Sequence, residues 1–386
     1  MDGMKVVQVA FECVEMRGGA PRAVFDFQRA LGGEVVSFTS PEMISGWGSG
    51  TTIHIPTDRN VLGGMYGFSS AGVKQAAGMK LSRADLVVIH GLYRYHATWA
   101  FSLLRSAGIP YWVVPHGILD PYVFTYRGWQ KKIWMRVFGR PILNRAKSLI
   151  FTTRRELEKA PSYVDRSRAR VVHLGVDYVG TEKRQEKRAA LREQLGIPID
   201  ARVVLFVGRL HPMKRVLETI LAFHECGDPR LLLLIVGPDS KELTRSECER
   251  YIAQIGARRI QLSGPMFGPQ LRDFYLVADV FISLSHRENF GYSVADALAY
   301  RLPVILSPGN DLADELRPVR CGWFLESIRT DETVATMREV GEALPGDVEL
   351  MGQRGQGWAR RELGREMFSG RISALARESV SSCQSE

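Results

Sequence analysis

Cysteine is scarce and scattered. The five residues, Cys13, Cys226, Cys248, Cys321 and Cys383, are odd in number and form no CxxC pair. That spacing excludes a disulfide framework or a zinc ribbon. No stretch reaches the roughly 20 apolar residues of a spanning helix. The first apolar run is short and carries Glu12, so it reads as a strand and not as a signal peptide. A cytoplasmic protein is expected, at most peripheral at the inner face of the cell membrane. No DxD triplet is present, and none of the eight histidines pairs with another at metal-ligand spacing. No metal and no other cofactor is therefore expected. MRGGAPRA after the first strand lacks the GxGxxG spacing, which argues against a nicotinamide dehydrogenase. Acidic residues are missing from one long window: between Asp120 and Glu156 there is none, while nine Lys and Arg lie there, equal to the whole net charge of +9.

What is present points to two domains. A chain of 386 residues with 45% hydrophobic and 24% charged composition can build two cores. Short β-branched runs alternate with segments of helical periodicity. The predicted strands are KVVQVAF, EVVSF, ADLVVIH, YWVVPH, SLIFTT and ARVVHL, then RVVLFVG, RLLLLIVG, RIQLSG, DVFISLS, PVILS and GWFL. Several are apolar at nearly every position, as in a parallel sheet covered on both faces. The pattern predicts doubly wound α/β domains. The expected organisation is a first Rossmann-like domain over 1–177, a linker with a solvated helix over 178–198, a second Rossmann-like domain over 199–365, and a C-terminal helix or tail over 366–386 whose polar part past about 370 frays. The Gly-rich stretch 46–67 reads as loops.

In such sheets ligands bind beyond the carboxyl ends of the strands. After RVVLFV comes GRLHPMKR, where Gly208 permits a tight exit and Arg209 and Lys214 bring two cations to a helix start. That arrangement suits a diphosphate, although a solvated basic loop has the same appearance. After DVFISLS comes HRENFGYSVADALAY. Glu288 ends the strand, Asn289, Phe290 and Gly291 form a turn, and Asp296 follows Glu288 by eight residues, about two helical turns. Carboxylates there can accept hydrogen bonds from sugar or ribose hydroxyls; a helix-start acid and a surface acid would look alike. His116, between a strand and Gly117, is the best placed histidine, and a purely structural bond to backbone is its other reading. His90, Arg94, Tyr95 and His96 also follow a strand and could meet an acceptor.

GRLxxxK, VGP, LSG, ENFG with Asp296, and PVILS occur in one order at characteristic distances. Together they resemble the retaining glycosyltransferases of family 4, which have the GT-B fold of two Rossmann-like domains facing across a cleft. The resemblance runs over about 5–370 and is strongest over 203–307. It implies transfer of a hexosyl unit from a nucleoside diphosphate sugar to a hydroxyl, on a lipid-linked or saccharide acceptor of the cell envelope. It implies that Arg209 and Lys214 neutralise the diphosphate and that Glu288 holds the transferred sugar. Asn289, Phe290 and Gly291 offer backbone N–H groups, and Asp296 takes the ribose position. Gly18 and Gly19 let backbone approach the distal phosphate, His116 sits against the sugar, and Gly264, Pro265 and Met266 line the base. Three departures stand out: Asp296 in place of Glu, and Arg215 and Arg301 in place of glycine. A nucleotide-sugar epimerase, a phosphorylase, or a catalytically weak nucleotide-sugar-binding protein are the rival readings within the fold.

The segment YVFTYRGWQKKIWMRVFGRPILNR interleaves cations with apolar residues at helical spacing. Trp129, Lys131, Lys132, Trp134 and Arg136 form the candidate patch for an anionic membrane surface. A core-packed helix with a solvated basic face fits the same pattern. No nucleic-acid-reading motif is present, so nucleic acid is not expected as a partner.

Overall fold

The computed structural model describes residues 3–13, 18–40, 52–60, 66–70, 72–125, 128–178 and 184–384, and of 184–186 and 382–384 the backbone alone. Arg127, much of the Gly-rich stretch and the centre of the expected linker lie outside the described residues. The chain forms two compact units. One comprises Met1–Gly175 and Arg365–Glu386; the other comprises Val176–Gly364.

The first unit holds a seven-stranded sheet of β1 (Val6–Phe11), β2 (Glu34–Thr39), β3 (Thr52–Pro56), β4 (Leu86–His90), β5 (Tyr111–Val114), β6 (Ser148–Phe151) and β7 (Ala169–Val171). Its order is β3-β2-β1-β4-β5-β6-β7, parallel throughout. β4 and β5 are buried at every residue, which explains why their sequences carry almost no polar side chain. Thr52–Pro56 corrects the loop reading of the Gly-rich stretch. TIHIP carries three β-branched residues and a Pro at an end, and as an edge strand against β2 it needs no apolar run.

The second unit holds β8 (Arg202–Val207), β9 (Leu231–Val236), β10 (Ile260–Leu262), β11 (Val280–Ser283), β12 (Val304–Leu306) and β13 (Gly322–Phe324). Their order is β10-β9-β8-β11-β12-β13, again parallel. The helix Arg184–Gln194, expected to be solvated, is anchored into this unit. Arg192 is buried, and its guanidinium donates to Asp279 Oδ2 at 2.6 Å and to the carbonyls of Val277 and Ala201. Arg188, one turn earlier, also pairs with Asp279.

The tail is not frayed. Arg365–Gln384 is a helix of the first unit. Phe368, Ile372 and Ala376, four apart, are at most 1% exposed. Phe368 packs edge-on against Phe27, and Trp112 Nε1 donates to Ser379 Oγ at 3.0 Å. The polar composition past residue 370 is the outer face of an amphipathic helix.

Candidate active site

The strand order of the second unit reverses between β8 and β11. Such a switch point leaves a crevice beyond the strand ends. Lys214 follows β8, Glu288 follows β11, and the two side chains form an ion pair, Lys214 Nζ donating to Glu288 Oε2. Their loops are also joined by backbone, His286 N–H donating to the Met213 carbonyl at 2.9 Å. Lys214 sits on a short 3-10 turn, Pro212–Lys214, capped by His211, whose Nδ1 accepts from Met213 N–H. Burial, and then the nearby Arg209 guanidinium, push the Lys214 ammonium down to about 8. Arg209 itself is exposed.

Glu288 is held from both sides of its peptide. Its N–H donates to the Gly309 carbonyl and its carbonyl accepts from Asp311 N–H, both at 2.9 Å. Gly291, at φ 68°, caps the helix Tyr292–Ala299. A Cβ there would lie 2.9 Å from Glu288 Cγ, so glycine is required both for the turn and for its neighbour. Phe290 is buried and Asn289 half-buried in this turn, and Asp296 lies half-buried on the helix that follows. The three loops on the other side are knitted together. Gly208 N–H donates to the Val236 carbonyl at 3.0 Å and Gly237 N–H to Gly264 at 2.9 Å. A Cβ on Gly237 would come within 1.8 Å of the Gly208 carbonyl. Pro265 and Met266 continue from Gly264, the first exposed and the second half-buried.

The first unit has its own switch point, between β1 and β4. His90 ends β4 and His116 lies two residues past β5. Their rings stack 5.2 Å apart with His90 Nδ1 and His116 Nε2 at 3.0 Å. His90 Nε2 lies 2.8 Å from Gln8 Oε1 on β1. Burial pushes His116 down to about 4 and His90 well below its usual range, the latter with added repulsion from His116 and His96. Both rings are therefore neutral near pH 7, and the one nitrogen–nitrogen contact between them holds a single proton. His116 has φ 55° and Gly117 φ 78°. This strained turn is pinned by buried Glu156, whose Oε1 accepts from Gly117 N–H at 2.6 Å and whose Oε2 accepts from Thr152 N–H and Oγ1.

Other predicted residues are placed differently. Gly18 and Gly19 lie exposed at the start of the helix Gly19–Leu31, with Gly18 at φ 102°. Arg94 stacks over Phe11 at 4.7 Å. Tyr95 packs against Phe68 and Phe38 and accepts a bond from Lys74. His96 Nε2 donates to the His90 carbonyl at 2.9 Å, a structural bond. Within the basic segment, Trp134 packs inward on Tyr93 and Lys131 donates to the Val123 carbonyl at 2.6 Å. Of the apolar stripe beside them, Trp129, Ile133, Val137 and Phe138 are 68%, 56%, 54% and 46% exposed.

The Glycosyl transferase 4-like domain model matches residues 3–175, and the Glycosyl transferases group 1 model matches 187–343. The chain belongs to the group 1 glycosyl transferases. A D-inositol 3-phosphate glycosyltransferase of Xylanimonas cellulosilytica is 31% identical over 44% of this chain and 43% of its own length. A glycosyltransferase of Bacillus subtilis named for teichuronic acid biosynthesis is 28% identical over 52% of this chain and 47% of its own. The matched region thus spans less than half of these curated relatives. In fold, the chain resembles Anabaena HepE, solved in complex with UDP, with TM-score 0.80 at 17% identity over 97% of this chain and all of that one. Sucrose-phosphate synthase of Thermosynechococcus elongatus gives TM-score 0.75 at 19% identity, over 97% of this chain and 98% of that one. These likenesses establish the GT-B architecture of two Rossmann-like domains.

Two departures of this family member from the family pattern have a backbone meaning. Arg215 and Arg301 stand at φ 56° and 62°, a region in which glycine carries no steric penalty. Arg215 is retained by bonds to the Ile328 carbonyl and Glu218, and Arg301 by an ion pair with Glu349. Sequence reasoning missed Glu156, Gln8, Gly237, Gly309 and Asn310, which hold the predicted residues in place. A Cβ on Gly309 would approach the Ser285 carbonyl to 2.2 Å. Buried Asn310 donates to the Ser283 carbonyl at 2.9 Å and accepts from Ser283 Oγ at 3.1 Å. The GN that follows PVILSP was the available signal.

Proposed function

We propose that this chain transfers a hexosyl unit from a nucleoside diphosphate sugar to a hydroxyl acceptor, with retention of configuration, in cell-envelope polysaccharide or glycolipid synthesis. The Lys214–Glu288 pair at the switch point carries the reading. A cation for the diphosphate and a carboxylate for sugar hydroxyls are already in contact, so a donor replaces one preformed pair with a charge pair at Lys214 and hydrogen bonds from sugar hydroxyls at Glu288. Arg209, Lys214 and the helix start after Gly291 stabilise the departing diphosphate electrostatically. Glu288 holds hydroxyls of the transferred sugar, and Asp296 the ribose. His116, neutral at working pH, accepts or donates a hydrogen bond to the sugar and carries no charge. The departing phosphate takes the acceptor proton in a front-face attack. The complexes of HepE with UDP-glucose make that donor the first to test.

Thermal shifts across a panel of nucleotides and nucleotide sugars test the donor. A selective ligand at about 100-fold excess over Kd adds roughly 2.7 kcal/mol, and no shift from any of them would remove the reading. Because protein cations serve the diphosphate, turnover is expected to survive EDTA; loss with EDTA and rescue by Mg²⁺ or Mn²⁺ would assign the charge to a metal.

The exposed row Trp129, Ile133 and Val137 beside the basic face supports peripheral association with an anionic membrane and a lipid-linked or membrane-proximal acceptor. Each cation near such a surface contributes about 1 kcal/mol, and salt weakens it. Co-sedimentation with phosphatidylglycerol vesicles at low salt, reversed at high salt, is expected. Absence of binding at low salt points instead to a soluble saccharide acceptor.

A further inference from the structure

A groove of about 400 Å³ lies in the first unit beneath the basic segment. Phe124, Met135, Pro161 and Tyr163 give it an apolar lining, and Lys132, Arg136 and Arg140 border it with cations. None of these three cations has an ion pair among the described residues. Arg140 lies over the Tyr163 ring at 4.4 Å. The phenol oxygens of Tyr163 and Tyr93 are buried and have no hydrogen-bond partner among the described residues. Tyr93 packs on Trp134 and Phe124, which joins it to the groove wall. A buried hydroxyl without a partner costs about 1–3 kcal/mol, and of the two it is Tyr163 that lines the groove, where a ligand would relieve that cost.

The helix geometry adds a second observation. Lys132, Arg136 and Arg140 are four apart. On an α-helix of 3.6 residues per turn that spacing drifts around the axis. Here the residues Met135–Gly139 form a π-helical turn, with Arg140 N–H donating to the Met135 carbonyl five residues back. The wider turn absorbs the drift and keeps the three cations in one row, and such turns occur often at functional sites. The apolar row Trp129, Ile133 and Val137 runs directly beside them.

We propose that this groove binds the phosphate of a phospholipid headgroup, with the glycerol and first acyl carbons on Phe124, Met135 and Pro161. The cation row and the Tyr163 phenol donate to the phosphate oxygens, and the exposed apolar row continues into the bilayer. The charge of the groove selects an anion, its lining selects one with an attached apolar chain, and the adjoining row identifies that chain as membrane lipid. The proposal rests on the membrane reading above but not on glycosyl transfer.

The test uses a monomeric lipid, so that groove binding is separated from adhesion to a surface. Dihexanoyl phosphatidic acid, dihexanoyl phosphatidylcholine and inorganic phosphate are titrated into the full chain by calorimetry. The phosphatidic acid is expected to bind at least 10-fold more tightly than either of the others. Arg136→Gln with Arg140→Gln, both exposed positions, should weaken it at least 10-fold while leaving UDP-glucose binding unchanged. Tyr163→Phe should weaken it about 5-fold with no loss of thermal stability, since it removes an orphaned hydroxyl; a phenol with a structural bond would lose stability instead. Equal affinity for inorganic phosphate, equal affinity for phosphatidylcholine, or indifference to the double Arg variant would each overturn the proposal. Failure of UDP-glucose to bind with intact lipid binding would count against the transferase reading and not against the groove.

Discussion

At the scale of single residues, Lys214 is the most informative side chain. It is linked to Glu288, crowded by Arg209, and buried enough to stand near pH 8. Lys214→Ala removes a charge that matters most as the phosphate leaves, so kcat/KM is expected to fall about 100-fold or more. Asp296→Ala should raise donor KM with a smaller change in kcat, because the ribose does not react. Near-normal turnover of Lys214→Ala would undo the phosphate assignment. The sign of the pH effect follows from which form binds. A diphosphate needs the ammonium, which the free protein holds below about pH 8 and loses above it, with Arg209 favouring the loss and Glu288 opposing it. UDP-glucose, whose phosphates stay ionised over this range, should therefore bind with constant Kd at pH 6.5–7.5 and weaken by up to tenfold per unit above about 8. Lys214→Arg, always charged, should flatten that rise. An equally steep rise in the Arg variant would place the titration elsewhere.

At the scale of elements, the site depends on loops that hold one another. Asn310 crosses from the end of β12 to the end of β11, and its neighbours Gly309 and Asp311 clamp the Glu288 peptide. Asn310→Ala strands several buried polar groups, each worth about 1–3 kcal/mol. Urea unfolding should show a loss of at least about 2 kcal/mol. In protein that remains folded, kcat/KM should fall more than stability alone explains; unchanged kinetics would mean that Glu288 does not need this clamp. The same loops explain what could be read in the sequence. β4, β9 and β11 were legible because buried parallel strands are apolar at nearly every position. Lys214, Glu288 and Gly291 were legible because charge and glycine follow a strand at fixed distances. β3 was not, since an edge strand next to glycines carries no distinctive period. Glu156 and Gln8 were not, because a buried carboxylate or amide that orients a turn looks like any surface residue until its partners, far along the chain, are known. The inward contacts of Trp134 and Lys131 were not, because their partners, Tyr93 and the Val123 carbonyl, lie outside the helix and leave no mark on its period.

At the scale of the whole molecule, the two units differ in how the chain completes them. The second, Val176–Gly364, is continuous, and its sheet, its core and the Lys214–Glu288 pair all come from that one stretch. The first is closed only by the last helix, which returns after the second unit has been made. Phe368 and Ile372 are buried against it, Trp112 bonds to Ser379, and Arg365 pairs with buried Asp26 at 3.2 Å. Burying a large apolar side chain contributes about 1.5–3 kcal/mol. Losing Phe368 and Ile372 alone therefore removes a sizeable part of the roughly 5–15 kcal/mol that holds a domain together, and it uncovers Phe27 and Trp112 as well. A chain ending at Gly364 is expected to lose the unfolding transition of the first unit while keeping that of the second. Calorimetry of the full chain and of the truncated one, each with and without UDP-glucose, distinguishes the two transitions, because the ligand should raise the one that remains. A truncated chain that keeps both transitions would show that the last helix is an accessory to the first unit. If both transitions disappeared, the second unit could not stand on its own core, and the placement of the donor site within it would have to be tested in the intact chain alone.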